Sequence, residues 1–145
     1  MLIHGTCVAL RLNSRWRAVL LRGGPGSGKS DLALRLIDGG ARLVADDQTH
    51  LVKKDRILMC AVPPPLKSLI EVRGLGIVKL KRTQTLPSAR LALLVDLVPL
   101  QKIERMPDPV TESLLGVAVP LLALAPFEAS AAAKLRLALA RIAAA

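Results

Sequence analysis

A glycine-rich octapeptide constrains the fold of this chain more than any other feature of the sequence. Residues 23–30 read Gly-Gly-Pro-Gly-Ser-Gly-Lys-Ser and fit the pattern G-x-x-x-x-G-K-[ST] without a mismatch. The apolar run 16–21 precedes the octapeptide, and residues 31–37 follow it with apolar side chains at helical spacing. Such a loop between a strand and a helix is typical of nucleoside triphosphate sites.

The chemistry of phosphate binding explains these residue types. Glycines let the backbone curl so that several N–H groups point at one anion, and the helix that begins here adds its positive end. Lys29 is placed to reach the β- and γ-phosphates, and the Ser30 hydroxyl to bind Mg²⁺. The residues predicted to bind the nucleotide are Gly23, Gly24, Pro25, Gly26, Ser27, Gly28, Lys29 and Ser30.

Composition and net charge exclude several classes of protein. The chain has 145 residues and a formal net charge of +10, which favours anionic partners. Apolar residues make up 52%, so we expect one folded domain over residues 1–145 rather than disorder. With Trp16 and Phe127 as its two aromatic residues, it cannot stack a run of bases, and we predict no nucleic-acid partner. No uncharged stretch could span a membrane, and Cys7 and Cys60 are interpreted as buried, reduced thiols of a cytoplasmic protein.

The remaining pattern predicts an α/β fold. Strands are expected at 2–10, 16–21, 42–45 and 91–98, hairpins at 49–61 and 69–80, and a terminal helix at 129–144. Residues 114–124 are interpreted as two short strands that meet near Pro120.

Three acidic residues and one histidine are candidates for chemistry. Asp46 and Asp47 follow a short strand; such a pair is ordinarily a solvated loop, but beside a phosphate loop one carboxylate can support a metal while the other accepts a proton. Glu71 is a lone acid in a basic region, so it is either a charge-balancing residue or a Mg²⁺ ligand. His4 lies in the first predicted strand, where a lone histidine is more often structural.

These motifs together resemble the catalytic domain of the HPr kinase/phosphorylase family. The resemblance is carried by His4-Gly5, the phosphate loop, the segment 42–47 (Arg-Leu-Val-Ala-Asp-Asp) and the segment 70–77 (Ile-Glu-Val-Arg-Gly-Leu-Gly-Ile). It extends over residues 1 to about 110, and the segment 70–77 is its most specific part because ordinary phosphate-loop kinases lack it.

The resemblance implies a fold, a substrate and a set of residue roles. The fold is a mixed sheet around a phosphate loop, similar to the nucleotide-binding fold of phosphoenolpyruvate carboxykinase. The substrates are ATP with Mg²⁺ and a serine of HPr or an HPr-like phosphocarrier. Asp47 is similar to the general base, Asp46 and Glu71 to metal-side residues, and His4 and Arg105 to further active-site residues. Family members form hexamers; the oligomeric state of this chain is left open.

Two departures from the family pattern carry expectations of their own. The chain is similar to the catalytic domain alone, so we interpret it as a short form of the family. Residues 125–130, where the family has a basic loop that serves the reverse reaction, contain no cation, and Lys134, Arg136 and Arg141 are placed on a solvated helix face. We therefore predict weak or absent phosphorolysis.

A basic surface is the expected docking site for an acidic carrier. Its residues are Lys67, Arg73, Lys79, Lys81 and Arg82. Two alternatives remain: a kinase of small molecules, which would need an arginine-rich lid that residues 61–69 do not provide, and a nucleotide-dependent regulatory module without turnover, which would not need Asp46, Asp47 and Glu71.

Overall fold

The computed structural model of this protein describes residues 1–144, apart from the side chain of Pro65. The described part of the chain forms eleven strands and two α-helices. The strands are β1 Leu2–His4, β2 Thr6–Leu12, β3 Arg15–Arg22, β4 Arg42–Ala45, β5 Gln48–Lys54, β6 Ile57–Ala61, β7 Leu69–Val72, β8 Gly76–Lys79, β9 Ser88–Leu97, β10 Val110–Leu114 and β11 Val117–Leu124. The helices are α1 Lys29–Asp38 and α2 Ala131–Ala144.

Nine strands form one mixed sheet in the order β1-β5-β6-β9-β3-β2-β4, with β11 pairing β9 and β10 pairing β11. The β3–β9 and β9–β11 pairs are parallel, and the other pairs of this sheet are antiparallel. β7 and β8 form a separate antiparallel hairpin. The predicted α/β class with a mixed sheet is therefore confirmed.

Strand direction decides where functional loops can meet. β3, β9 and β11 run parallel, and β4 runs the same way because both β3 and β4 pair antiparallel with β2. The carboxyl ends of these four strands consequently lie along one edge of the sheet, the edge at which open α/β sheets bind ligands. Residues 23–30, 46–47, 98–109 and 125–130 all follow one of these strands.

The two faces of the sheet bury separate cores. One face packs against both helices, through buried residues that include Val19, Leu32, Leu36, Leu93 and Leu135. The opposite face encloses a second core around Leu20, Leu51, Leu94 and the two cysteines. Cys7 and Cys60 are both buried and unbridged, and burial raises the pKa of the Cys7 thiol well above its ordinary value.

Within residues 1–144, neither helix is long and apolar enough to cross a membrane.

The prediction of one continuous strand over residues 2–10 was wrong. The chain breaks at Gly5, because β1 pairs with β5 near one end of the sheet whereas β2 pairs with β3 and β4 near the other. A Cβ on Gly5 would lie 2.9 Å from the carbonyl oxygen of Leu21 and 3.0 Å from Leu20 Cδ1. Glycine is required here because the crossing backbone passes directly against the end of β3.

The prediction that two strands meet near Pro120 was also wrong. The turn lies at Leu115 and Gly116, both with positive φ (48° and 81°), as in a two-residue hairpin. Pro120 is inside β11, one residue before the first that pairs with β9, so its missing N–H removes no hydrogen bond to that strand.

An ion cluster fixes the end of β3 just before the glycine-rich loop. The Arg22 guanidinium donates to Asp96 on β9 (Nε to Oδ1, 2.8 Å) and to Glu112 on β10 (Nη1 to Oε2, 2.6 Å). Bidentate bonds to the guanidinium hold the pKa of Glu112 below its ordinary value and raise that of Arg22. The cluster therefore links three strands at the functional edge of the sheet.

We predict that Gly5→Ala destabilises the fold. The added methyl group meets backbone at 2.9 Å, and such overpacking costs about 1–3 kcal/mol in the free energy of unfolding. The measurement is urea unfolding. Gly24→Ala is the matched control because nothing lies within 4 Å of its added Cβ, so its free energy of unfolding should stay near wild type. Equal stability of the two variants would contradict the close approach.

We predict that acid weakens the Arg22 cluster. Because Arg22 lowers the folded-state pKa of Glu112, the ionised carboxylate stabilises the native state above the unfolded value of about 4.5. That contribution is lost as the pH falls through the lower folded-state pKa. Chemical unfolding between pH 7 and pH 3 should show a smaller acid-dependent loss of stability for Glu112→Gln than for wild type. Parallel pH profiles for the two proteins would contradict it.

Candidate functional site

The glycine-rich loop joins β3 to α1 at the functional edge. Gly28 is the N-terminal cap of α1, with φ 98°, and Leu32 N–H donates to its carbonyl (2.9 Å) to begin the helix. The Lys29 ammonium folds back across the loop and donates to the carbonyl of Gly23 (2.7 Å) and of Gly24 (3.3 Å). The loop thus surrounds a cation at the amino end of a helix, where an anion is stabilised.

Close packing within the loop explains why position 23 is a glycine. A Cβ on Gly23 would clash with Ser27 Oγ, so the Ser27 side chain fills the space that a larger residue at position 23 would need. The Ser27 hydroxyl is buried and has no hydrogen-bond partner within residues 1–144. A polar ligand in the loop could therefore supply a partner that this hydroxyl lacks.

The Asp46 carboxylate is the centre of the site. Its Oδ1 accepts hydrogen bonds from the Ser30 hydroxyl (2.7 Å) and the Thr6 hydroxyl (2.9 Å), and its Oδ2 accepts one from the Glu71 N–H (2.9 Å). Asp46 is only 9% exposed. One carboxylate therefore connects the start of α1, the start of β2 and the β7–β8 hairpin.

Asp47 occupies a different environment from Asp46. It is exposed and has a positive φ of 64°, a conformation that aspartate tolerates better than most residues. Its N–H donates to the Thr6 hydroxyl (3.1 Å), and its carbonyl accepts from the Gly5 N–H (2.9 Å). The backbone is thus held on both sides while the carboxylate faces solvent.

His4 lies next to the hydrogen bond that joins Gly5 to Asp47. It pairs with Gln48 in the β1–β5 ladder and immediately precedes Gly5, whose carbonyl accepts a hydrogen bond from the Thr49 hydroxyl (2.9 Å). Its side chain is exposed. These bonds join the segments that carry six of the seven residues predicted for catalysis or metal binding, namely His4, Lys29, Ser30, Asp46, Asp47 and Glu71.

The β7–β8 hairpin carries Glu71 and two predicted docking residues, Arg73 and Lys79. Glu71 and Arg73 are exposed, and Gly74 and Gly76 have positive φ in the turn that follows. Lys67, Lys79, Lys81 and Arg82 are exposed as well. The hairpin also presents two apolar side chains to solvent, Leu75 at 79% and Ile77 at 73% exposure.

Arg105 is less closely tied to the site than the other predicted residues. It lies in an exposed bend between β9 and β10, on the edge that also carries the glycine-rich loop. Within residues 1–144 its side chain makes no hydrogen bond or ion pair. Its predicted role stays a prediction.

The late segment 125–130 packs against the glycine-rich loop. A Cβ on Gly28 would lie 3.0 Å from Phe127 Cζ and 3.2 Å from Pro126 Cβ. The Arg35 guanidinium of α1 donates to the carbonyls of Pro126 and Glu128, and it also pairs with Asp31 (3.0 Å). Phe127 itself remains 72% exposed above the loop.

The prediction of a solvated helix face is confirmed for Lys134 and Arg141, which are exposed, and is wrong for Arg136, which is half-buried. Lys134 Nζ pairs with Glu128 Oε1 (2.9 Å), and the Arg136 guanidinium lies near the carbonyl of Leu36 (3.4 Å). Both side chains turn back towards α1 or the late segment because carbonyl and carboxylate oxygens are within reach there.

Thr6 and Phe127 are site residues that sequence reasoning missed. Thr6 is fully buried and its hydroxyl contacts both members of the acidic pair. A polar residue directly after the glycine that breaks a strand was an available signal for Thr6. The available signal for Phe127 was its position as a lone aromatic residue between Pro126 and Glu128, shortly after a predicted strand.

The oxygen atoms of Ser30 and Asp46 are suitable ligands for Mg²⁺. This ion prefers oxygen ligands, usually one or two carboxylates together with phosphate oxygens of a substrate. Ser30 Oγ and Asp46 Oδ1 lie 2.7 Å apart and provide a hydroxyl and a carboxylate oxygen. Within residues 1–144 no group of three His, Cys, Asp or Glu side chains could hold a metal ion by itself, so phosphate oxygens would have to complete the coordination.

Two curated relatives of this chain carry the name HPr kinase/phosphorylase. HPr kinase/phosphorylase of Limosilactobacillus reuteri (strain DSM 20016) is 36% identical over 111 residues, which is 70% of this chain and 35% of the relative. The protein of that name from Bordetella petrii is 38% identical over 110 residues, 70% of this chain and 36% of the relative. The chain thus spans about a third of the length of the curated relatives it matches.

The fold comparison agrees with the sequence comparison. The structure of the Hpr(Ser) kinase/phosphatase from Coxiella burnetii superposes with a TM-score of 0.78 at 26% identity, covering 97% of this chain and 88% of that one. The family described as HPr Serine kinase C-terminal domain matches residues 2–135. This chain therefore belongs to the HPr serine kinase C-terminal domain family.

Proposed function

We propose that this chain is the catalytic domain of an ATP- and Mg²⁺-dependent protein kinase that phosphorylates a serine of HPr or of an HPr-like phosphocarrier. The observation that carries the proposal is the contrast between two adjacent carboxylates. Asp46 is immobilised by three hydrogen bonds, one of them from Ser30 of the phosphate loop, while Asp47 is exposed at the next position.

This contrast supports a division of labour. A carboxylate that is fixed beside the Ser30 hydroxyl can position a metal ion, whereas an exposed carboxylate can accept a proton from a substrate that approaches from solvent. Asp47 is suited to the second role because its backbone is held by Thr6 and Gly5 while its side chain faces outwards.

Each residue then has a stated task in the transfer. The Lys29 ammonium binds the β- and γ-phosphates, replacing its bonds to loop carbonyls. The oxygen of the carrier serine attacks the γ-phosphorus, its proton passes to Asp47, and ADP leaves. Ser30, Asp46 and Glu71 would hold Mg²⁺, which neutralises charge on the phosphates when bound. His4 lies beside the base and is proposed to orient it.

The same structure supports the prediction of weak phosphorolysis. Attack by inorganic phosphate brings a second anion to the site and requires extra cations. Two cations reach the late segment, but both are already engaged: Arg35 pairs with Asp31 and with backbone carbonyls, and Lys134 pairs with Glu128. Each would have to give up these contacts to bind an incoming phosphate.

The proposal is tested by incubating the protein with ATP, Mg²⁺ and purified HPr, and mapping the phosphate by mass spectrometry. We expect one phosphoserine on the carrier and less than about a tenth of that rate with Lys29→Ala, since such contacts are worth several kcal/mol. Lys102→Ala is the matched control because Lys102 is exposed outside the loop. ATP binding without transfer to HPr or to HPr-like carriers would instead favour a regulatory module.

We predict that Asp47→Asn and Asp46→Asn fail in different ways. Asp47→Asn should lower kcat about 10²–10⁴-fold while MgATP affinity stays near wild type, because it loses only a proton acceptor. Asp46→Asn should weaken MgATP binding, since an amide offers one acceptor oxygen where three donors converge. Calorimetry with MgATP and steady-state kinetics separate the two; normal MgATP affinity in a slow Asp46→Asn enzyme would reverse the assignment.

We predict that carrier docking depends on salt through the basic surface around the β7–β8 hairpin. The KM for the carrier should rise as ionic strength passes about 0.1 M, where the Debye length is about 10 Å. Lys79→Gln should raise the KM at low salt and flatten this dependence. Lys54→Gln removes the same charge beside the β5–β6 turn, whose Arg56 lies with Arg15 and Arg17 from the start of β3, and should leave the KM unchanged. A KM that is independent of salt in wild type would contradict the docking assignment.

A further inference from the structure

A cavity of about 310 Å³ opens at the edge of the sheet opposite the phosphate loop. Four arginines line it: Arg15 and Arg17 at the start of β3, Arg56 at the β5–β6 turn, and Arg90 near the start of β9. No Asp or Glu is among its lining residues. Arg17 is five residues from Arg22, so about 16 Å of strand separates the cavity from the phosphate loop.

The cavity lies at a fork in the sheet, the place where β6 and β11 diverge along the same side of β9. β9 pairs with β6 through residues 88–90 and, along the same side, with β11 through residues 94–97. Leu91, Ala92 and Leu93 lie between these two stretches and have no strand partner on that side. The fork therefore leaves both space and backbone polar groups next to the arginines.

The arginines place like charges side by side without a counter-charge from the described residues. Arg17 and Arg90 are direct partners in the β3–β9 ladder, and like charges directly opposite each other destabilise a sheet. Arg17 Nε is buried and lacks a hydrogen-bond partner in the described part of the chain. Across residues 1–144 none of the four forms an ion pair.

Other arginines at this edge are satisfied in a different way. The guanidinium of Arg42 lies 4.8 Å from the centre of the Trp16 ring, and that of Arg11 lies 6.0 Å from it, distances typical of cation–π contacts. The cavity arginines have no comparable aromatic contact within the described residues. Arg15, Arg56 and Arg90 are exposed and Arg17 is half-buried, so the four charges meet solvent around one concave surface.

We propose that this arginine cavity binds a small polyanion that carries phosphate groups. Guanidinium groups match phosphate oxygens through paired N–H donors, and four of them balance an anion with two to four negative charges. The volume is at the lower end of the range for small-molecule sites, which favours an inorganic polyphosphate or a compact phosphate ester. This proposal does not rest on the proposed kinase activity.

The test is isothermal titration calorimetry on the full chain carrying Lys29→Ala, which disables the phosphate loop as a competing anion site. The probes are inorganic pyrophosphate and glycerol 3-phosphate at constant ionic strength. We expect saturable 1:1 binding of at least one probe, and the tighter one assigns the source as inorganic or organic. Adding Arg17→Gln or Arg90→Gln should weaken that binding at least tenfold, whereas adding Lys102→Gln should leave it within about twofold.

Thermal unfolding distinguishes a ligand site from a structural role. Without anion, Arg90→Gln should unfold at the same temperature as its parent or higher, because one member of a repelling pair is removed. Absence of 1:1 binding, equal weakening by Lys102→Gln, or a melting temperature several degrees lower without anion would overturn the proposal. Loss of an oligomer in Arg90→Gln with unchanged anion affinity would also overturn it, since the arginines would then form a contact between copies of this chain.

Discussion

The site depends on the hydrogen bonds of one buried carboxylate. Asp46 accepts from the Ser30 hydroxyl, the Thr6 hydroxyl and the Glu71 N–H, which belong to three segments far apart in sequence. A buried carboxylate is costly unless its oxygens are satisfied, so the loss of one donor is felt by the other two segments. Asp46 thereby fixes the start of α1, the crossing between β1 and β2, and the β7–β8 hairpin relative to one another.

The sheet delivers these segments to one edge. Because β3, β4, β9 and β11 run in the same direction, the loops that follow them meet without any long excursion of the chain. The two crossings, at Gly5 and at the acidic pair, run side by side and are joined by the bond from Gly5 N–H to the Asp47 carbonyl. The crossing geometry leaves Asp47 exposed next to a carboxylate that is held by three hydrogen bonds.

The sequence allowed the local parts of this arrangement to be predicted. The glycine-rich loop, the acidic pair and the two hairpins at 49–61 and 69–80 have signals within a few residues, and all lie where they were expected. The break at Gly5 and the role of Thr6 depend on which strands become neighbours, and no local pattern encodes that. Pro120 was misinterpreted because a proline ends a strand only when its missing N–H faces a paired neighbour. Phe127 reaches the loop through tertiary packing alone.

Amide hydrogen exchange is the most direct test of the claim that Asp46 holds the site together. In Asp46→Ala, the amides of Glu71 and Asp47 should exchange at least tenfold faster than in wild type, because the first loses its acceptor and the second depends on a Thr6 hydroxyl that is no longer oriented. The amides of β3 and β9 should keep wild-type rates, since their ladder does not involve Asp46. Unchanged exchange at Glu71 and Asp47, or uniform acceleration across the sheet, would contradict the account.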